Sequence, residues 1–206
     1  SGGKADLIYQ NDGKGKFTEL TGTPFAEGSW DTRDLNLVDL DFDGDLDLVA
    51  GYEDHPVRLF LNDGRGGLVE ASRSPIPFHC GSGQVAADLT GDGWLDLVLG
   101  GLLVGDGTGW FRKADPKALP APPGAAAAGD VDGDGDRDLV AITGLAKLGL
   151  HLNDGKGRFT DVTASRMPSL PASARCVALG DVDGDGDLDL VVGTGYDLNS
   201  GPPLQP

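Results

Sequence analysis

The chain has 206 residues, with 33 acidic against 16 basic side chains and a formal charge of −17 at pH 7. That balance disfavours nucleic acid and anionic membranes as partners, since both would repel it. No apolar run approaches the roughly 20 residues of a membrane helix, so no membrane insertion is expected.

In chain order the first element is a hairpin, LIYQNDGKGKFTEL from Leu7, in which Asn-Asp-Gly joins two alternating apolar segments. Asn, Asp and Gly tolerate the positive φ that tight turns require. A short strand over 36–38 then leads into DLDFDGDLDLVAG from Asp39. A second strand leaves over 46–51, a third spans 57–61, a turn occupies 62–66 and a fourth strand covers 67–70. The same order recurs. Further aspartate strings start at Asp88 (DLTGDGWLDLVLG), Asp130 (DVDGDGDRDLVAI) and Asp181 (DVDGDGDLDLVVG), at intervals of 49, 42 and 51. Further hairpins start at Arg58, Leu102 and Gly149; counted from turn to turn (Asn11, Asn62, Gly105 and Asn153) the hairpins step by 51, 43 and 48, which match. Proline-bearing connectors, ASRSPIP from Ala71 and ASRMPSLP from Ala164, resemble each other and suit a crossing between units.

Periods of 40 to 50 residues with several strands each read as propeller blades. The expected fold is all-β, a single β-propeller domain over 1–206 built of four-stranded antiparallel blades. The repeats fall at 35–72, 84–115, 125–163 and 175–197, the last completed by 5–20. The blades then form either a closed four-bladed ring or a four-blade part of a larger one. The absence of a visible leader and the start at Ser1 suggest a processed or trimmed product.

The aspartate strings carry the chemistry. Of the acidic residues 29 are Asp and 4 are Glu, a bias toward short, stiff ligands. So many carboxylates in nine residues repel one another unless a cation neutralises them, and flexible oxygen-rich loops favour Ca²⁺ over Mg²⁺. About four Ca²⁺ ions are expected, held from loop positions 1, 3, 5, 7 and 9. These are Asp39, Asp41, Asp43, Asp45 and Asp47, then Asp130, Asp132, Asp134, Asp136 and Asp138, then Asp181, Asp183, Asp185, Asp187 and Asp189. The remaining loop offers Asp88, Thr90, Asp92, Trp94 through its carbonyl, and Asp96, and should bind most weakly. An EF-hand is excluded, because its bidentate Glu at position 12 is here Ala50, Leu99, Ala141 or Val192. Abundant external Ca²⁺ points to a secreted, periplasmic or cell-surface location.

The D-x-D-G-D-G-x-x-D-L-V-x-G string and the N-D-G-x-G-x-F hairpin resemble the FG-GAP or VCBS-type repeats of integrin α-subunit propellers and many bacterial secreted proteins. The resemblance implies Ca²⁺ in blade loops on one face and ligands at the opposite face or at blade junctions. Members typically have seven blades.

No catalytic constellation emerges, so no enzyme is expected. Loops that give five oxygens from one segment leave few open positions for metal catalysis. His55, His79 and His151 stand apart in sequence. The leading reading is a non-catalytic Ca²⁺-stabilised module that contacts a protein partner or a larger extracellular assembly. Carbohydrate binding is the alternative, with Trp30, Trp94, Trp110, Phe25, Phe78 and Tyr52 as candidate platform residues, although Trp110 is expected in the core. A propeller-type lyase or dehydratase is a second alternative, poorly supplied with His and Glu. Cys80 and Cys176 permit one disulfide, or are two small buried thiols.

Overall fold

The computed structural model describes residues 6–23, 25, 31–52, 55–71, 76, 85–119, 123–143, 147–168 and 174–195. Trp30, Phe78, His79 and Cys80, and with Cys80 the disulfide question, lie outside these residues, as does most of the first proline connector.

The all-β expectation holds. A two-stranded sheet opens the chain, β1 (Ile8–Asn11) with β2 (Phe17–Leu20). Three four-stranded antiparallel sheets follow. The first is β3 (Thr32–Val38), β4 (Asp47–Tyr52), β5 (Arg58–Asn62) and β6 (Leu68–Glu70). The next is β7 (Val85–Ala87), β8 (Asp96–Val98), β9 (Leu102–Gly105) and β10 (Phe111–Lys113). The third is β11 (Pro123–Gly129), β12 (Asp138–Thr143), β13 (Lys147–Asn153) and β14 (Phe159–Asp161). A helical turn, α1 (Thr163–Arg166), sits in the second connector, and β15 (Ala174–Gly180) pairs with β16 (Asp189–Thr194) as a closing two-stranded sheet.

Within each sheet strands pair in sequence order, so each is a meander. Every aspartate string spans the connection from the first to the second strand. The observed strands differ from the expected ones by one to four residues at their ends. In the three four-stranded sheets the sequence is apolar after the string because the second strand is covered on both faces: Asp47–Tyr52 is buried throughout, as is Asp96–Val98. Central strands read as continuous apolar runs for this reason.

The sheets stack in a row, and shared cores hold them together. Leu40, Val49 and Leu59 of the first four-stranded unit pack with Leu97, Leu103 and Phe111 of the second. Leu89, Val98 and Val104 of the second meet Leu139 and Phe159 of the third. Val140, Ile142 and Leu150 of the third pack with Val177, Leu179, Leu190 and Val192 of β15–β16. At the other end Ile8 rests on Leu48, Phe60 and Phe25. Fully burying one such side chain contributes about 1.5–3 kcal/mol, so the stacking contacts, rather than any one hairpin, stabilise the array.

Candidate metal centre

Position 1 of each string organises its own loop. Asp130 accepts the amides of Gly133 on Oδ1 (2.8 Å) and Gly135 on Oδ2 (3.0 Å). Asp88 does the same for Gly91 and Gly93, at 2.8 and 2.9 Å, and Asp181 for Gly184 and Gly186, at 2.7 and 3.0 Å. The first loop departs from this. Phe42 stands where the others place glycine and adopts the same left-handed conformation, with φ 60° against 69°, 76° and 81° for Gly91, Gly133 and Gly184. Asp39 keeps only the bond from Gly44 (3.1 Å, on Oδ2), and its buried Oδ1 has no partner.

Position 5 closes a second turn. Asp43, Asp92, Asp134 and Asp185 each accept the amide two residues on, at 2.9–3.0 Å. Position 7 meets the hairpin of its own sheet. A Cβ at Gly155 would lie 2.5 Å from Asp136 Oδ2, and Gly64 and Gly107 approach Asp45 and Trp94 in the same way. The aspartate spacing therefore serves the loop's own amides, which the sequence reading did not anticipate.

In the three four-stranded sheets position 9 is the deepest. Asp47, Asp96 and Asp138 are fully buried. Each takes a loop amide on Oδ2, from Leu40, Leu89 and Val131 at 2.7, 2.9 and 3.0 Å. Each takes a third-strand amide on Oδ1, from Asn62, Gly105 and Asn153 at 2.8, 3.1 and 2.9 Å. Asn62 and Asn153 then return a side-chain bond to Leu46 O (3.0 Å) and Arg137 O (2.9 Å). Burial is the main cause that pushes all three carboxyls above the usual range, against the pull of these amides. Asp41 is also raised, by burial first and then by its neighbour Asp43.

Three groups bring carboxylate oxygens within 4.8 Å of one another: Asp39, Asp41 and Asp43; Asp130, Asp132 and Asp138; and Asp181, Asp183 and Asp189. The remaining expected ligands fall outside these groups, and among the described residues the second loop forms none. There Thr90 and Trp94 replace the carboxylates of positions 3 and 7. The donor set is hard oxygen from short side chains, and Asp39 offers an orphaned buried acceptor. Both features fit a Ca²⁺-type ion.

A family model described as FG-GAP-like repeat matches residues 1–50, 39–99 and 130–192. The chain belongs to this repeat family. No curated protein matches it. Among solved structures, the crystal structure of the V. cholerae biofilm matrix protein Bap1 is similar, with a TM-score of 0.50 at 17% identity. The likeness covers 93% of this chain and 34% of that one, so the FG-GAP-like chain spans about a third of Bap1's length and shares its fold.

The candidate sugar platform divides. Phe25 and Tyr52 are core residues. Trp110 is exposed, contrary to expectation, because Phe111 aligns with Phe17 and Phe159 and fills the core position; one residue's offset moves a strand side chain to the other face. Trp94 is also exposed and makes an edge-to-face contact with Phe42, ring centroids 5.1 Å apart. Phe42 was missed by the sequence reading, although its place in a glycine position marks it. His55 is exposed and His151 is buried. Cys176 is exposed in β15, so it is not a buried thiol. No helix among the described residues is long and apolar enough to cross a membrane.

Proposed function

We propose that this chain is a Ca²⁺-stabilised, non-catalytic β-propeller module that works by contact with extracellular protein or matrix partners. Its stacked sheets act as blades, and the aspartate loops clip each blade's first strand to its second. The observation that carries the metal part is the first loop, where Asp39, Asp41 and Asp43 bring carboxylate oxygens together and Asp39 Oδ1 is buried without a partner. When bound, the cation supplies the positive charge that offsets carboxylate repulsion and burial. The third and fourth loops would hold it through Asp130, Asp132 and Asp138, and through Asp181, Asp183 and Asp189. The extracellular setting rests on family membership and on likeness to a biofilm matrix protein.

The test is thermal unfolding with and without Ca²⁺. A ligand that binds only the folded state at 100 times its dissociation constant stabilises by about 2.7 kcal/mol per site. Excess chelator should lower the melting temperature by several degrees and added Ca²⁺ should restore it. An identical curve in chelator would refute the calcium reading.

The exposed Phe42–Trp94 pair favours carbohydrate binding as a second reading. Rigid aromatic faces offer large contact area, and a strained, exposed ring is retained where glycine would fit better. A glycan array on which the wild type binds and Trp94→Ala does not would support it; no hits would remove it.

A further inference from the structure

Asn153 joins two aspartate loops that belong to different sheets. It ends β13, where the second and third units meet, and is buried there. Its backbone amide donates to Asp138 Oδ1 (2.9 Å), at position 9 of the third loop. Its side-chain amide donates to Arg137 O (2.9 Å), one residue earlier in that loop, and to Leu89 O (2.9 Å), at position 2 of the second loop. The Leu89 amide in turn donates to Asp96 Oδ2 (2.9 Å), whose Oδ1 accepts from Gly105 (3.1 Å). A continuous line of hydrogen bonds thus runs from the position-9 carboxylate of the third loop to that of the second. Asp138, Asn153, Leu89 and Asp96 are all buried.

The second loop rests directly on the hairpin turn of the third unit. A Cβ at Gly91 would lie 2.7 Å from Gly155 O, and one at Gly157 would lie 2.9 Å from the Thr90 methyl. The junction between the first and second units is built differently. Gly105 takes Asn153's place and has no side chain to reach Leu40, the counterpart of Leu89, and Phe42 stands where Gly91 does. The second loop is also the one that, among the described residues, forms no group of three converging carboxylates. Its order therefore leans on the third unit. A buried hydrogen-bond network is strong when complete and costly when broken, since each stranded carbonyl or amide is left without water.

We propose that Asn153 is a positioning residue that couples the two loops, so that a cation in the third loop also holds the second loop in place. Asp138 belongs to the converging group Asp130, Asp132 and Asp138, and the same Asp138 holds the Asn153 backbone. An ion that orders this group keeps Asp138 Oδ1 and Arg137 O on Asn153, and keeps its side-chain amide aimed at Leu89 O. When the third loop loosens, those two acceptors release Asn153 and the second loop loses its tie to the third unit. By linkage, an ordered second loop favours an ion in the third by the same factor. The first loop lies outside this line. The inference rests on the calcium reading above and adds to it an unequal dependence among the loops.

Hydrogen–deuterium exchange read by mass spectrometry tests this on the whole chain in saturating Ca²⁺. Asp132→Ala removes a ligand from the third loop and touches none of the partners of Asn153. It should speed exchange of the amides of residues 89–96 about fivefold, the lower end of ordinary coupling between sites, and leave those of 40–47 unchanged. Asn153→Ala keeps the backbone amide and removes both side-chain bonds. In that background Asp132→Ala should have no further effect on 89–96. Asp132 also pairs with Arg166 Nη1 at 3.2 Å, so Arg166→Ala, which removes that pair and no ligand, should leave 89–96 as in the wild type. Unchanged exchange at 89–96 in Asp132→Ala, an effect of the same size without the Asn153 side chain, or the same effect in Arg166→Ala overturns the proposal. Chelator separates it from the reading on which it rests. Faster exchange at 131–138 with no change at 89–96 would sink the coupling alone. No change at either segment would remove the calcium reading and the coupling with it.

Discussion

Replacing Asp138 tests whether the position-9 carboxylates are structural before they are ligands. Asp138 is fully buried and holds two amides, Val131 at 3.0 Å and Asn153 at 2.9 Å. Asp138→Ala strands both. A buried donor left unsatisfied costs about 1–3 kcal/mol, giving a range of about 2–6 kcal/mol for the pair. Removing a carboxylate whose burial is itself unfavourable returns part of that, so the lower half, about 2–4 kcal/mol, is expected. Asp138→Asn keeps one acceptor for Asn153 but turns a donor toward the Val131 amide, and should cost about 1–3 kcal/mol. Urea unfolding followed by tryptophan fluorescence in excess chelator measures both without a contribution from lost metal. In a chain of this size each kcal/mol corresponds to roughly 2–4 °C in melting temperature. An Asp138→Ala cost below about 1 kcal/mol, or an Asn variant as costly as the Ala variant, would refute the two-amide account.

His151 is almost wholly buried with neither ring nitrogen hydrogen-bonded, and burial lowers its pKa below the ordinary 6.5 despite Asp161 on the paired strand. The folded chain resists a proton that the unfolded chain accepts, so stability from this group is intact above pH 6.5 and is lost as pH falls below it. His151→Leu, which installs the residue type of the aligned Leu103, should flatten the fall in melting temperature between pH 7 and 5.5 relative to wild type at saturating Ca²⁺; an unchanged slope would contradict this. Phe42→Gly should be more stable than Phe42→Ala by about 1–2 kcal/mol, since both lose the ring and only alanine keeps a strained left-handed φ. Chemical denaturation ranks them, and equal stabilities would mean that the backbone relaxes on substitution.

The alternation of carboxylates, the Asn-Asp-Gly turns and the repeat spacing were enough to place the strands and loops of the repeat, because each depends on local backbone chemistry. The glycine positions at 91, 133 and 184 and the turn aspartates follow from positive φ and from amides within a few residues, and these are written in the sequence. Other features depend on what lies across space. Asp138 and Asp189 occupy the same motif position, yet one is buried with two amides and the other is exposed with one. The sequence cannot tell them apart, because the difference is whether a third strand stands alongside. Trp110 and Phe111 are neighbours whose burial is decided by one step of strand register. Phe42 and Trp94 lie in different repeats and meet only when two sheets stack. Local chemistry thus determined the unit, its turns and its carboxylate loops. Only tertiary packing decided which loops converge and which aromatics face solvent, because burial is set by neighbours that the motif itself does not contain.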